Sequence, residues 1–323
     1  MKKLTYITCS FLFINHLIHA QYTEIINSNR PGNSVSAFAV GKNVIQGEAG
    51  FLFEKREHDL LRSSSNLKSG EFAIRYGFLF EQLEIIWDGT FTDQNITDNS
   101  TSPAFKYSRT DFTENTIGIK YLIFDPFKNP EKNKPNLYSW RANNKPQWED
   151  LIPAVAVYAG MNMNFGNNPY YPDESTVSPK AMIATQNHFG WNWVLVTNLI
   201  YDKFTEDDPI FSYIITLTHT LKNPKYSIFA EHQGLKSDAY GDGLFRFGGA
   251  TLIDKDLQLD FSIGLNIKDT PSRFLAGMGV SYRLDYHKDE YKKVDNVSKQ
   301  EKKALRKQQK RHKKNNSFNG LAN

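Results

Sequence analysis

The stretch Asn43–Glu57 constrains the fold most strongly, because its side chains alternate in character. Apolar or small residues occupy every second position, namely Ile45, Gly47, Ala49, Phe51 and Phe53. The positions between them carry Gln46, Glu48, Gly50, Leu52 and Glu54. A period of two is typical of a β-strand with one apolar face and one polar face.

Similar stretches recur along most of the chain, separated by segments rich in Pro, Gly, Asn and Asp. The predicted strands are residues 43–57, 70–79, 83–92, 111–122, 152–164, 181–189, 192–204, 210–221, 226–235, 244–253, 257–267 and 274–286. An even number places both ends of the sheet on one side, as in bacterial barrels. The alternation is weakest over residues 181–204, so a barrel of about 10 or 14 strands stays an alternative. A soluble two-sheet sandwich is a further alternative.

The composition favours a membrane barrel. Aromatic residues make up 14% of the chain and the mean hydropathy is −0.53. No run of 18 apolar residues occurs, so the sequence predicts no transmembrane helix. Polar loops and a polar lumen would dilute the apolar band of a barrel in this way. We therefore predict an all-β fold, a closed antiparallel transmembrane β-barrel of about 12 strands, in a bacterial outer membrane.

The first twenty residues have the character of a secretory signal peptide. Lys2 and Lys3 precede a mostly apolar stretch, and Ala20 offers a small residue before the cleavage point. Cys9 is the only cysteine of the chain. Removal of residues 1–20 would therefore leave a chain without disulfide or thiol chemistry.

The segments flanking the predicted barrel differ from it. Residues 21–42 contain Pro31 and Gly32, which predict irregular chain, and we expect a periplasmic N-terminal segment there. The barrel itself would span residues 43–286. Residues 125–150 are rich in Pro, Asn and Lys and would form an unusually long periplasmic connection.

A basic tail is predicted to follow the barrel. The whole chain has a net charge of +4, but residues 287–323 carry twelve Lys or Arg against four Asp or Glu, and residues 21–286 carry −6. This asymmetry argues against a nucleic-acid binder. Ser298–Glu301 fits a capping box, which predicts a short basic helix before a disordered end. Such a periplasmic tail would contact anionic lipid or an envelope partner, or would simply be solvated.

Charged residues on the polar phase of the strands are the candidate site. They are Glu48, Arg75, Glu84, Asp88, Glu114, Lys120, Arg246, Asp260 and Arg283, with Glu54 and Glu71 beside them. We expect Arg75 to lie near Asp88, and Arg283 near Glu48 where the barrel closes. These residues would form either a structural network of ion pairs in a narrow lumen or a selectivity lining for a small solute.

Several motifs resemble one family of bacterial outer-membrane proteins. The N-terminal part of the family's sequences is similar to three motifs of this chain: Asn29-Arg30-Pro31-Gly32, Val40-Gly41-Lys42 and Gln46-x-Glu48-x-Gly50-Phe51. The run from Lys120 to Phe127, Lys134–Trp140 and Leu151–Ala154 is similar to its Bacteroidetes branch. The family is one of transporters associated with the meta-pathway of phenol degradation. The resemblance covers roughly residues 21–286 and implies a barrel that transports small, partly hydrophobic or aromatic compounds.

Other functions have weaker support in the sequence. His188, His219 and His232 lie near strand ends and Ser227 lies on a strand, but no nucleophile-elbow pattern is present, so we expect no enzyme. The loop from Asp238 to Gly243 does not have the EF-hand spacing, and we expect neither a metal site nor a cofactor.

A rival function of a different class is a closed structural barrel that docks envelope partners through its periplasmic segments. Outer-membrane lipids and a small solute are the expected partners of the barrel itself, and no nucleic acid is expected.

Overall fold

The computed structural model describes residues 23, 25–126, 137–139, 151–172, 174–190, 192–238 and 240–288. The predicted signal peptide, most of the predicted connection between residues 125 and 150, and the predicted basic tail beyond residue 288 lie outside these described residues. The structural account below concerns the described part alone.

Twelve β-strands form the described body of the chain. They are β1 (Val44–His58), β2 (Ser63–Gly77), β3 (Leu83–Asp98), β4 (Phe105–Phe124), β5 (Ala154–Met163), β6 (Val177–Phe189), β7 (Trp193–Asp202), β8 (Ile210–Thr220), β9 (Tyr226–Lys236), β10 (Gly241–Asp254), β11 (Leu257–Asn266) and β12 (Ser272–Asp285).

The strands close into one barrel. Each strand pairs antiparallel with its neighbours in sequence, and β1 pairs with β12 from Val44↔Asp285 to Glu57↔Ser272. The weakly alternating region also forms a regular hairpin, since β6 and β7 pair without a register shift. The prediction of twelve strands is confirmed, and closure removes the unpaired sheet edges that lipid would not tolerate.

Among the described residues, no helix is long and apolar enough to cross a membrane.

The two faces of the barrel follow the alternation in the sequence. On β11, Leu259, Phe261 and Ile263 are 43%, 60% and 51% exposed, whereas Asp260 and Ser262 between them are buried. An outer surface covered with large apolar side chains is stable against hydrocarbon and costly against water. The closed sheet with this apolar exterior is a transmembrane barrel of the outer-membrane type.

Four of the five connections at one end of the barrel are short turns, and the fifth is the long stretch between β4 and β5. β10 and β11 are joined there by Lys255 and Asp256 alone, and β6 and β7 by residues 190–192. This end also holds the start of β1 and the end of β12, and we call it the terminal end. Short turns are typical of the periplasmic side, so the opposite, far end faces outward.

The far end corrects two expectations. The predicted strands 83–92 and 111–122 are both longer in the structure, since β3 continues to Asp98 and β4 begins at Phe105, with pairs such as Asn95↔Ser108 between them. Likewise β2 begins at Ser63 rather than at residue 70. These strand ends carry many polar residues on both faces, including Asn66, Asn95 and Ser108 on the outer face, so the period of two is weak in the sequence.

The segment before β1, predicted as a periplasmic N-terminal segment, enters the barrel from its terminal end and lies in the lumen. Residues 25–42, here called the inner segment, are irregular as predicted. Ile26 N donates to Lys255 O (2.9 Å) near the terminal end, and Val35 N donates to Asn198 Oδ1 (2.6 Å) on β7. Val40 N then donates to Glu84 Oε2 (2.9 Å) before the chain enters β1. Lumen side chains thereby satisfy backbone groups of a segment without secondary structure.

The lipid-facing surface gives the first testable prediction. Ile263→Arg places a charge on the outer face of β11 and should cost about 2–4 kcal/mol of barrel stability if it lies near the midplane. The matched control is Leu60→Arg in the far-end turn, where the native side chain is already 85% exposed. Folding is measured by heat-modifiable mobility and urea titration in lipid vesicles. Equal losses in both variants would contradict the assignment of the outer face.

Candidate functional site: buried charges and a cavity in the lumen

The structure places all nine predicted site residues on the inner face. Seven are buried: Glu48, Arg75, Glu84, Lys120, Arg246, Asp260 and Arg283. Asp88 is half-buried, and the Glu114 side chain is 44% exposed because it borders an internal cavity. The alternation therefore predicted the orientation of each side chain. A role in binding or selectivity stays a prediction for each of them.

A fully buried ion cluster anchors the inner segment. The Glu84 carboxylate lies 2.7 Å from Lys120 Nζ and 3.1 Å from Arg75 Nη2, and all three side chains have no exposed surface. Lys120 Nζ also donates to the carbonyls of Ser36 and Phe38. Buried charges are tolerated where partners and hydrogen bonds compensate for lost hydration. The cluster therefore depends on the inner segment for part of its solvation.

Arg75 corrects the expected pairing with Asp88. Its guanidinium contacts Glu84 and lies 3.7 Å from Glu48, and its Nη1 donates to Asn27 O (2.8 Å). The side chain thus reaches toward the terminal end, where the inner segment offers a carbonyl. Asp88 lies further toward the far end, beside the cavity.

Arg283 corrects the second expected pair. It contacts Asp256 (2.7 Å) in the β10–β11 turn and donates to Thr23 O (2.6 Å). In the closure register Arg283 lies opposite Gln46, and Glu48 lies opposite Ser281. Glu48 instead binds the inner segment, since its carboxylate accepts a hydrogen bond from Asn29 N (3.2 Å).

Arg30 of the inner segment is a site residue that the charge pattern of the strands missed. Its guanidinium contacts Glu71 (2.7 Å) on β2 and Asp260 (3.3 Å) on β11. It lies over Gly50 and Gly279, which face each other across the β1–β12 seam. A Cβ at either glycine would lie within 2.4 Å of the guanidinium. Two inward glycines, Gly50 and Gly279, and the motif Asn29–Gly32 that contains Arg30 were the sequence signals for this contact.

A second carboxylate on the opposite wall also holds the inner segment. Glu231 Oε2 accepts from Asn33 N (2.9 Å) and from the Thr216 hydroxyl (2.7 Å). Its other oxygen lies 3.4 Å from Arg246 Nη1, so this predicted site residue orients Glu231. The inner segment is thus tied to strands on both sides of the lumen.

A cavity of about 320 Å³ lies between the inner segment and the far end. One wall is a contiguous apolar patch from five strands, and Val35 of the inner segment packs against it; the patch consists of Ile86, Tyr158, Met182, Ile200 and Ile214. The rest of the lining is mixed, with the charged residues Arg30, Glu48 and Glu71 beside apolar residues such as Phe72 and Leu235. A concave space with an apolar wall and a few polar groups is the usual form of a small-molecule site.

Charged residues border the apolar patch on its far-end side. Asp88, Lys180 and Asp202 each lie two residues along their strand from a patch residue and face the same cavity. Lys180 Nζ contacts Glu114 (2.7 Å), and Asp202 accepts from Asn162 Nδ2 (2.6 Å). The cavity therefore offers an apolar wall and a charged border within one space.

A far-end loop covers one side of the cavity entrance. On the far-end side of Thr116, residues 105–115 of β4 have no strand partner on the β5 side. Residues 164–176 cover this edge: Asn168 Nδ2 donates to Phe112 O (2.7 Å) and the Tyr171 hydroxyl donates to Thr113 O (2.8 Å). Burial raises the pKa of Tyr171, so its hydroxyl stays a neutral donor. The loop thereby narrows the far-end mouth of the lumen.

The remaining sequence candidates occupy structural positions. His219 stacks on Trp193 with ring centroids 4.1 Å apart, and His232 contacts Phe245 at 4.5 Å. The Asp242 carboxylate forms an ion pair with Arg273 (3.0 Å). Within the described ranges, no group of three or more His, Cys, Asp or Glu side chains is arranged to hold a metal ion.

The geometry defines a transmembrane β-barrel with a filled terminal end and an internal cavity. The sequence profile of the family described as "Putative MetA-pathway of phenol degradation" matches residues 28–284, and the chain belongs to this family. The match includes the Arg30 position and both glycines beneath its guanidinium.

Solved outer-membrane barrels are similar in structure. An outer membrane channel from Pseudomonas putida F1 is 10% identical with a TM-score of 0.48, and the alignment covers 80% of this chain and all of that one. The Pseudomonas putida toluene transporter TodX is 10% identical with a TM-score of 0.46, covering 82% and 98%. The CymD monoaromatic hydrocarbon channel is 8% identical with a TM-score of 0.43, covering 77% and 90%. No curated protein sequence matches the chain significantly.

The buried ion cluster gives the second prediction. Glu84→Gln leaves Arg75 and Lys120 without their shared counter-charge and should destabilise the barrel by about 3–5 kcal/mol, because unpaired buried charge is costly. Glu57→Gln is the matched control, since the Glu57 side chain is 51% exposed and its pairing with Lys55 should contribute little. Urea unfolding in lipid vesicles measures both. A loss below about 1 kcal/mol at Glu84 would show that the cluster does not hold the structure together.

Proposed function

We propose that this barrel is an outer-membrane channel for a small, partly apolar solute. The observation that carries the proposal is the cavity of about 320 Å³, with its apolar patch on one wall and polar groups on the other. Pockets of about 300 Å³ and above hold small organic molecules. In this proposal the barrel is a conduit and performs no catalysis.

The size and lining of the cavity favour a solute the size of one aromatic ring. Met182, Ile200 and Ile214 provide an apolar wall, and Tyr158 adds a ring beside them. The family description names phenol degradation, which supports an aromatic solute. Apolar contact gives affinity without strong direction, so a solute can both enter and leave.

The inner segment is the gate in this proposal. It fills the terminal end of the lumen, so a solute in the cavity reaches the periplasm only if the segment moves. Arg30 lies at the boundary between the cavity and the segment, and its two ion pairs fasten the segment to β2 and β11. Breaking these contacts shifts the equilibrium toward an open lumen.

The rival function is a closed structural barrel that docks envelope partners from the periplasm. The fully buried cluster of Arg75, Glu84 and Lys120 favours this alternative, because it closes the terminal end with compensated charge. A closed barrel would pass no solute even after the ion pairs of Arg30 are removed, so permeability separates the two functions.

The test compares the permeability of barrels with and without the ion pairs of Arg30. Arg30→Ala should raise solute flux into proteoliposomes about tenfold, because loss of charge-assisted hydrogen bonds of about 1.5–3 kcal/mol shifts the gating equilibrium by at least this factor. Gly279→Ala should act in the same direction, since the added methyl group displaces the guanidinium without removing its charge. Lys106→Ala, an exposed far-end cation, is the control.

Folding of each variant is checked by heat-modifiable mobility before flux is measured. Properly folded Arg30→Ala and Gly279→Ala barrels that remain as impermeable as vesicles without protein would exclude the channel function. They would leave the closed structural barrel as the function of this fold.

A further inference from the structure

The charged border of the cavity carries more acid than base. Lys180 Nζ lies 2.7 Å from Glu114, and Lys180 interacts electrostatically with Asp88 and Asp202 as well. In the register of β6 and β7, Lys180 lies directly opposite Asp202. Lys203 also interacts with Glu114, but its ammonium contacts Glu174 (2.6 Å). Two ammonium groups therefore serve four carboxylates, and this part of the lumen attracts a further positive charge.

Asp88 is the carboxylate whose charge is least compensated. Within the described residues its side chain makes neither a hydrogen bond nor an ion pair within 4.0 Å, although it borders the cavity. Asp202, by contrast, accepts from Asn162, and Glu114 contacts Lys180. Asp88 thus retains acceptor capacity that faces the interior of the cavity.

Tyr158 is an independent indication of a ligand at the same place. Its side chain lines the cavity and is only 6% exposed, yet its hydroxyl has no hydrogen-bond partner among the described residues. The ring tip occupies the space above Gly118 and Gly160, whose added Cβ atoms would lie 2.5 Å from the hydroxyl oxygen. Buried hydroxyl groups are normally hydrogen-bonded, so an unpartnered one beside four charged groups indicates a position for a polar ligand atom.

The apolar patch begins one inward position below these groups. On β3 the patch residue Ile86 precedes Asp88, and on β7 Ile200 precedes Asp202. Successive inward side chains on a strand are about 7 Å apart. The ring of a short aralkyl amine whose ammonium group lies at the charged residues therefore lies against the apolar patch.

We propose that Asp88, Asp202 and Tyr158 bind the ammonium group of a small amphiphile whose apolar body lies on Ile86 and Ile200. The proposal rests on the proposed channel function and names its solute class. An ammonium group has three donors, which two carboxylates and the phenol oxygen satisfy. An anionic head group is repelled by the same carboxylates, and a neutral head group forgoes the charge-assisted hydrogen bonds.

Three probes of one skeleton test the proposal: 2-phenylethylamine, 2-phenylethanol and phenylacetate. Their binding to the full chain in a non-ionic detergent is measured by calorimetry at neutral pH. The amine should bind about tenfold more tightly than the alcohol, which is the effect of a charge-assisted hydrogen bond. Phenylacetate should bind most weakly.

Variants assign the preference to the site. Asp88→Asn combined with Asp202→Asn should reduce the affinity for the amine to that for the alcohol and leave the affinity for the alcohol unchanged. Tyr158→Phe should weaken amine binding about threefold, the effect of one neutral hydrogen bond. Asp254→Asn, an exposed carboxylate at the terminal end, should leave every affinity unchanged.

The outcomes separate this inference from the channel function. Equal affinities for amine and alcohol, or a preference that survives the double substitution, would overturn the amine site. An amine preference abolished by the double substitution supports the site even if the vesicles are impermeable, and in that case the channel function alone fails. Flux of all three probes at equal rates and affinities would support the channel and overturn the site.

Discussion

Compensation of buried charge is the constraint on which the rest of the lumen depends. A narrow twelve-stranded barrel turns half of its side chains inward, and this chain places Arg75, Glu84 and Lys120 there with no exposed surface. Ion pairing alone leaves ammonium and guanidinium donors unused. The inner segment supplies the missing acceptors as backbone carbonyls at Asn27, Ser36 and Phe38. Wall and inner segment therefore stabilise each other, and neither is complete alone.

The faces of the barrel could be predicted from the sequence because the lipid and the lumen impose opposite polarity at a fixed period of two. That period gave the twelve strands and the inward orientation of residues such as Asp88 and Asp260. The strand ends at the far end could not be predicted, because they carry many polar residues, such as Asn95 and Ser108, and resemble a loop. The position of the inner segment was missed because its contacts join residues far apart in sequence, for instance Asn33 and Glu231.

Ion-pair partners were harder to predict than orientation for a related reason. An inward residue has several possible partners on the neighbouring strands. The long side chain of an Arg can reach carboxylates at more than one position along those strands. Arg75 was expected beside Asp88 and instead contacts Glu84, since the terminal end also offers carbonyls of the inner segment. Where an irregular segment enters the lumen, its backbone groups compete with the strand side chains as partners of each charged residue. The alternation along the strands does not reveal these additional partners.

The same competition explains why the cavity lies where it does. The inner segment follows charged and amide side chains at the terminal end, where Ala37 and Phe38 also pack against a small cluster around Leu122. Val35 is the residue of the segment that packs against the apolar patch. Apolar side chains offer its backbone no hydrogen bonds, so burying more of the segment against Ile200 or Ile214 would leave peptide groups unsatisfied. The segment therefore turns back to Glu84, and the patch remains lined by side chains alone. An apolar surface that the protein's own backbone cannot cover without cost remains accessible to a solute that carries few polar groups.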